Sequence, residues 1–278
     1  GGQVSGELWL IDAAAGRLPA SRLKALARYP GVQAVVHDKQ VHTADDPDGW
    51  EGWVTDYRYP VPWDGRPDVE ATRSWAMYKL AYPLQVDLGT AKLRLVNGRG
   101  ITVAVVDSGV YMDGRILSEF GPSMSSRFLG QADFVDPLCD GPSKSVVQHS
   151  DHCFSDIAQS KDAYGHGSHV TGIIWSELYD AETRSHLGVA PASKMLSVRV
   201  LGPEGQGSYA DVIRGIQYVV ANKDTFGVRV LNLSLSAPAT TPYFVDPLNR
   251  AVERAWAAGI VVVAAAGNTG PGAETITV

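Results

Sequence analysis

From about residue 84 the chain alternates between two textures, and that alternation restricts the fold more than anything else in the sequence. Short, nearly all-apolar runs, ITVAVVD (101–107), ASKMLSVRVL (192–201), VRVLNLSLS (228–236) and IVVVAAAGN (260–268), are interleaved with stretches of helical period. In SYADVIRGIQYVVANK (208–223) the residues Val212, Ile213, Ile216, Val219 and Val220 form one apolar stripe. VDPLNRAVERAWAAG (245–259) reads as a second helix, closed by Gly259, and HGSHVTGIIWSELY (166–179) as the start of a third. A strand that is apolar on both sides must be covered on both sides, and strand–helix alternation supplies that cover through crossover connections. The expected architecture is α/β, with a mainly parallel sheet as the middle of three layers.

Composition narrows the partners. The chain has 278 residues, a formal net charge of −6 and no cluster of Lys and Arg, which argues against nucleic acid or an anionic membrane surface. Its longest apolar run near the C-terminus, Ile260–Ala266, has seven residues, against the roughly 20 that span a bilayer. No basic segment followed by an apolar one opens the chain, so a signal peptide is expected to be absent or already removed. Cys139 and Cys153 are the only cysteines, and they flank one polar stretch, CDGPSKSVVQHSDHC. A disulfide there implies an oxidising compartment and contributes roughly 3 kcal/mol through loop closure. Two unpaired thiols are one alternative. Zinc held by His149, His152 and Cys153 is another, although regular ligand spacing is missing.

The N-terminal quarter has a different character. Residues 7–42 read as strand (ELWLI), helix (ASRLKALARY) and strand (PGVQAVVHDKQVH), a β-α-β unit with Leu23, Leu26 and Ala27 on one helical face. Such a unit is too small to hide much apolar surface by itself. Residues 43–83, rich in Asp, Gly, Pro and Trp, show no period and read as a linker or extended arm. Its DDPDG segment lacks the distal Glu of a calcium loop. The expected division is a small α+β unit with its arm over residues 1–70, followed by the main domain over residues 71–278.

Catalysts and ligands gather at the carboxyl ends of strands in open parallel sheets. Three strands end there in a polar residue: Asp107, Ser234 and Asn268. An aspartate behind five apolar residues needs a donor if it is buried. His166 supplies an imidazole N–H if Gly165 and Gly167 let its helix approach the sheet closely. Taken singly, Asp107 is as readily a turn residue, His166 a surface or capping histidine, and Asn268 a turn residue.

Together, VAVVDSGV, GHGSHVTG, LNLSLS and VVAAAGN resemble, in order and spacing, four signatures of the subtilisin-like serine proteases, the subtilase family. The resemblance covers about residues 84–278 and implies that fold and a serine endopeptidase activity. It assigns the triad aspartate to Asp107, the general base to His166 and the oxyanion asparagine to Asn268. His169 matches a companion histidine read as structural. A zinc pair with His166 is disfavoured, because zinc-binding helices space their histidines at i and i+4. Ser234, Leu235 and Ser236, with Gly267, are expected to bind extended substrate backbone. Relatives most often carry glycine where Ser236 stands, so its hydroxymethyl group is expected to narrow the specificity pocket against bulky side chains. YPGVQAVVHDKQVH resembles, less specifically, the end of the family's inhibitory propeptide. Implied partners are protein or peptide substrates, the chain's own propeptide and the rest of the catalytic domain, in a secreted or cell-surface setting. No cofactor is required for the chemistry. Structural calcium is implied by resemblance alone, since Asp133, Asp136 and Asp140 do not make a firm ligand set.

The family's nucleophile lies in a Gly-Thr-Ser-Met-Ala-like segment several dozen residues past the asparagine motif, and residues 1–278 contain no such segment. Neither GSHVTG nor GQGSYADV fits a nucleophile elbow. The sequence is therefore expected to be a fragment, inactive alone, with its serine beyond Val278 and a maturation site between about residues 57 and 80. The competing expectation is a catalytically inactive subtilase-like scaffold or surface assembly protein, with Trp50, Trp53 and Trp63 as contact anchors.

Overall fold

The computed structural model describes residues 2–43, 85–86, 94–95, 97–111, 124–135, 153–155, 160–177, 179–180, 185–186 and 188–268. Expectations about most of the linker arm, its three tryptophans, Cys139, His149, His152, Asp136 and Asp140 lie outside these residues.

At the N-terminus, β1 (Gln3–Leu8) and β2 (Ala13–Arg17) form an antiparallel hairpin around a 3-10 turn, Trp9–Ile11, and α1 (Ala20–Leu26) follows. Asp12, with φ of 54°, takes the left-handed conformation that reverses the chain. The segment ELWLI is thus the end of a strand plus a helical turn, not one strand. The β-α-β reading is also corrected, because β3 (Gln40–Thr43) never joins β1. β1 takes its neighbour in sequence, and β3 pairs with two distant strands of the main body, a choice that no local pattern encodes. Leu23 and Leu26 are exposed, contrary to the helical stripe. The apolar anchors of this unit are instead Leu8, Leu10, Ile11 and Val41, buried in the larger of two core clusters.

The main body adds two small antiparallel pairs, β4 (Gln85–Val86) with β5 (Arg94–Leu95) and β9 (Tyr179–Asp180) with β10 (Ser185–His186). Its centre is a six-stranded sheet in the order β15-β13-β6-β11-β7-β8. These strands are β6 (Thr102–Asp107), β7 (Phe128–Asp133), β8 (Phe154–Ser155), β11 (Lys194–Arg199), β13 (Val228–Leu233) and β15 (Val261–Ala264). All neighbouring pairs are parallel except β7 and β8. A short α2 (Met124–Arg127) precedes β7, and α3 (His166–Trp175), α4 (Tyr209–Phe226) and α5 (Pro247–Ala257) are the larger helices.

Every residue of β6 is buried, and the strand's alternation sends its side chains into two layers. Val103 and Val105 pack with Phe128, Trp175 and Met195 beside α3, while Ala104 and Val106 join Val212, Ile213 and Ile216 of α4. This is the expected three-layer α/β fold. A large aliphatic side chain buried this way contributes roughly 1.5–3 kcal/mol. The helix ends carry their own signals. Ser208 accepts from the Asp211 N–H at 3.2 Å to start α4, and Gly227, with φ of 67°, ends it. Asp246 starts α5 by accepting from the N–H groups of Leu248 (2.9 Å) and Asn249 (3.3 Å), with Pro247 in the first turn.

Cover is incomplete at one edge. On β15, Val261 is 62% exposed and Val263 51% exposed, so the described elements leave that end of the sheet bare on one face. No helix among the described residues is long and apolar enough to cross a membrane.

Candidate active site

Asp107 ends β6 and His166 opens α3, 59 residues later, and the two side chains meet. His166 Nδ1 lies 2.8 Å from Asp107 Oδ1, with both side chains buried. The carboxylate is held at its base by the Ser108 N–H, 2.7 Å from the same oxygen. Burial is the largest influence on Asp107 and raises its carboxyl above the ordinary value of 3.8. The hydrogen bond and charge of His166 and the Ser108 N–H pull it down without cancelling that rise, and the charge of Asp162 adds to it. The second oxygen, Oδ2, has no hydrogen-bond partner among the described residues.

The glycines make the meeting possible. Gly165 adopts φ of 99° where the loop turns into α3. A Cβ at Gly167 would collide with the Gly109 carbonyl oxygen, so α3 approaches the turn after β6 as closely as backbone allows. The Gly167 N–H donates to Ser108 Oγ at 2.9 Å across that contact. Asp162 ties down the loop before the helix, accepting from the N–H groups of Gly165 (2.8 Å) and Ser168 (2.8 Å) and from Ser168 Oγ (2.6 Å). This carboxylate was not anticipated, although an Asp three residues before the Gly165 turn is a known loop-closing signal. The Ser168 hydroxyl also accepts from the Tyr111 N–H at 2.9 Å, so it is engaged in the loop and not directed at His166. His169, expected as a structural companion, is exposed.

Beside this pair lies a three-stranded antiparallel sheet, and its centre is the N-terminal unit. β3 sits between β12 (Gln206–Ser208) and β14 (Leu235–Ser236). Thr43 opposes Leu235, and His42 opposes both Ser236 and Gln206. The Thr43 N–H donates to the Gly205 carbonyl at 3.0 Å. Val41 is fully buried, and Leu235 nearly so. Just upstream, Asp38 accepts from the Ala210 N–H at 3.1 Å and the Lys39 carbonyl from the Tyr209 N–H at 3.0 Å. The strand slot expected around Ser234–Ser236 is thus filled by residues 40–43 of the same chain.

The remaining expected residues are dispersed along the same edge. Asn268 follows β15, which is parallel to β13 and hence to β6, so it shares the carboxyl edge with Asp107. It is exposed, and Gly267 before it has φ of 86°. Ser234 Oγ accepts from Asn232 Nδ2 at 2.9 Å. Cys153 is buried and is not a free thiol. Asp133 is paired with Arg199 at 2.8 Å, which uses it in the core instead of in a cation site. Among the described residues, no group of three or more His, Cys, Asp or Glu could hold a metal ion.

The arrangement is an imidazole oriented by a buried carboxylate at the carboxyl edge of a largely parallel sheet with helices on both faces, the edge where ligands gather in such α/β folds. Comparison with known proteins makes the assignment specific. Residues 98–278 match the Peptidase_S8: Subtilase family, and the chain belongs to that family. Over 186 residues, 65% of this chain, it is 34% identical to serine protease AprX of Bacillus subtilis (strain 168), covering 36% of that protein. Across all 278 residues it is 27% identical to subtilisin E of the same organism, covering 55% of it. The crystal structure of a cold adapted subtilisin-like serine proteinase aligns with 69% of this chain and 56% of its own, at 28% identity and a TM-score of 0.44. The chain spans about a third to a half of the length of the curated relatives it matches.

Proposed function

We propose that this chain is part of a subtilisin-like serine endopeptidase, carrying the aspartate and histidine of an Asp–His–Ser triad, with the serine supplied by further polypeptide. The observation that carries the reading is the buried 2.8 Å contact between His166 Nδ1 and Asp107 Oδ1. A carboxylate accepting from Nδ1 fixes the tautomer and makes Nε2 the nitrogen that takes the nucleophile's proton and returns it to the leaving amine. Asn268 would donate its amide to the oxyanion, and Ser234–Ser236 would pair with substrate backbone. The bare face of β15, with Val261 and Val263, supports a further packing layer from polypeptide beyond the described residues.

Of the expected unit of residues 1–70, the part up to about Thr43 acts in this proposal as a propeptide. Its strand β3 lies in the slot that a substrate strand would need, so the chain is a zymogen inhibited by its own backbone. An enzyme cuts beside the strand its cleft holds, which moves the expected maturation cut from residues 57–80 to the residues just after Thr43. A mature N-terminus well beyond residue 57 would overturn that revision. Secretion and a Cys139–Cys153 bridge belong to the same reading, because these are the only cysteines and Cys153 is not free. Two titratable thiols in the unfolded, unreduced protein would reject the bridge.

Fluorophosphonate labelling of the complete protein tests the activity. Labelling that disappears on His166→Ala is expected. A complete protein that contains the serine segment, is free of residues 1–43 and still fails to label would return the chain to the scaffold reading.

A further inference from the structure

Lys39, one residue before β3, reaches into the main body. Its Nζ donates to Asp246 Oδ2 at 3.0 Å and to Thr241 Oγ1 at 3.0 Å, and it lies 5.0 Å from the centre of the Tyr209 ring. Asp246 is completely buried and the Lys39 side chain 10% exposed. The two oxygens of Asp246 divide their work. Oδ1 caps α5, whereas Oδ2 collects Lys39, the Thr241 hydroxyl at 2.8 Å and the Tyr209 hydroxyl at 3.4 Å. The main body thus offers a desolvated carboxylate, a hydroxyl and an aromatic face, the three groups that hold an ammonium ion.

A buried Asp–Lys pair is weak evidence for stability, since desolvation opposes the attraction. Removing the cation alone, however, leaves a buried carboxylate without its partner, which is strongly unfavourable. Whatever strand replaces β3 meets that carboxylate. We infer that Asp246, Tyr209 and Thr241 form a specificity subsite for a lysyl side chain of an extended peptide bound between β12 and β14, four residues before the one that pairs with Leu235. The inference rests on the peptidase reading and names a substrate preference for that cleft. Lys39 is the chain's own occupant of the subsite, four residues before Thr43.

The test uses the complete, matured protein and two peptides with the frame of residues 35–43 extended across the cleavage point, one with lysine and one with norleucine at the Lys39 position. Norleucine keeps the stem and removes the charge. A lysine preference in kcat/KM of roughly tenfold to hundredfold is expected, the range for a hydrogen-bonded charged pair. Asp246→Asn retains a capping acceptor for α5 and should reduce the ratio to within about threefold. Should that variant fail to fold, Thr241→Val removes one ligand of the ammonium ion and should lower the ratio by a smaller factor. Equal hydrolysis of the two peptides by the unmodified protein overturns the subsite and leaves the peptidase reading intact. Hydrolysis of neither removes both.

Discussion

Two buried aspartates face basic partners from distant parts of the chain, and their surroundings push them in opposite directions. Asp107 has one imidazole, one backbone N–H and an oxygen with no hydrogen-bond partner among the described residues. Asp246 has five donors, from Lys39, Thr241, Tyr209, Leu248 and Asn249. Burial is the leading influence on both and raises a carboxyl. At Asp107 it prevails. At Asp246 the hydrogen bonds from Thr241, Lys39 and Asn249, with the charge of Lys39, overcome it and hold the carboxyl below 3.8. A carboxylate left short of donors is held for use on another group, and one fully supplied is held in place.

The largest expected effect breaks the first pair. In the complete protein, His166→Ala or Asp107→Asn should lower kcat by roughly 10⁴-fold or more, the scale known for triad members in this and other serine peptidase families. The stability change should not follow. A raised carboxyl contributes stability that is present below its unfolded value of 3.8 and lost as pH rises through its folded value, so at neutral pH the ionised Asp107 is a cost. Asp107→Asn should therefore leave the melting temperature unchanged or higher at pH 7. A clear drop would mean that the pair holds the fold together.

Next in size is the contact that brings the pair together. A methyl group at Gly167 has no room against the Gly109 carbonyl, so Gly167→Ala must push α3 outward. A displacement of about 1 Å at His166 should cost on the order of 10²-fold in kcat, with KM nearly unchanged. Gly167 is not a positive-φ glycine, so an alanine there meets the collision without backbone strain, whereas Gly259→Ala, at φ of 85° with nothing within 4 Å, meets strain without a collision and serves as the control. Equal losses in the two variants would show that a general loss of stability and not displacement of α3 is responsible.

The first aspartate was legible in the sequence and the second was not. Asp107 stands at the end of a run whose apolar period marks a buried strand, and GHGSH carries the glycines that a close helix approach demands. Asp246 was legible only as a helix start, through Asp-Pro ahead of an apolar stripe. Its second role depends on Lys39, 207 residues away, and on β3 leaving the N-terminal unit to pair with β12 and β14. The same non-local choice defeated the β-α-β reading and the expected burial of Leu23 and Leu26. Hydrophobic period identifies elements and one face of each. It does not say which edge a four-residue strand will join, because backbone hydrogen bonding is available at any open edge.

The smallest effects concern the second pair and can be read without any catalysis. Asp246→Ala removes the helix cap and leaves Lys39 buried alone, so unfolding should become easier by about 3 kcal/mol. Lys39→Met leaves the cap and all the other donors in place, and should cost less. Its effect should concentrate on β3, as faster amide exchange at residues 40–43 with little change in α4. Acid should do the same to the unmodified chain. A depressed carboxyl contributes stability that is present above 3.8 and lost as pH falls through its lower folded value. Amide exchange along β3, corrected for the intrinsic pH dependence, should therefore accelerate below about pH 4 before the central sheet opens. The Lys39→Met chain should lose much of that acid response, since the cation whose attraction depends on the ionised carboxylate is gone. An undiminished response in the variant would move the acid-sensitive contact away from Asp246, and Asp38 at the start of α4 would be the next carboxylate to change.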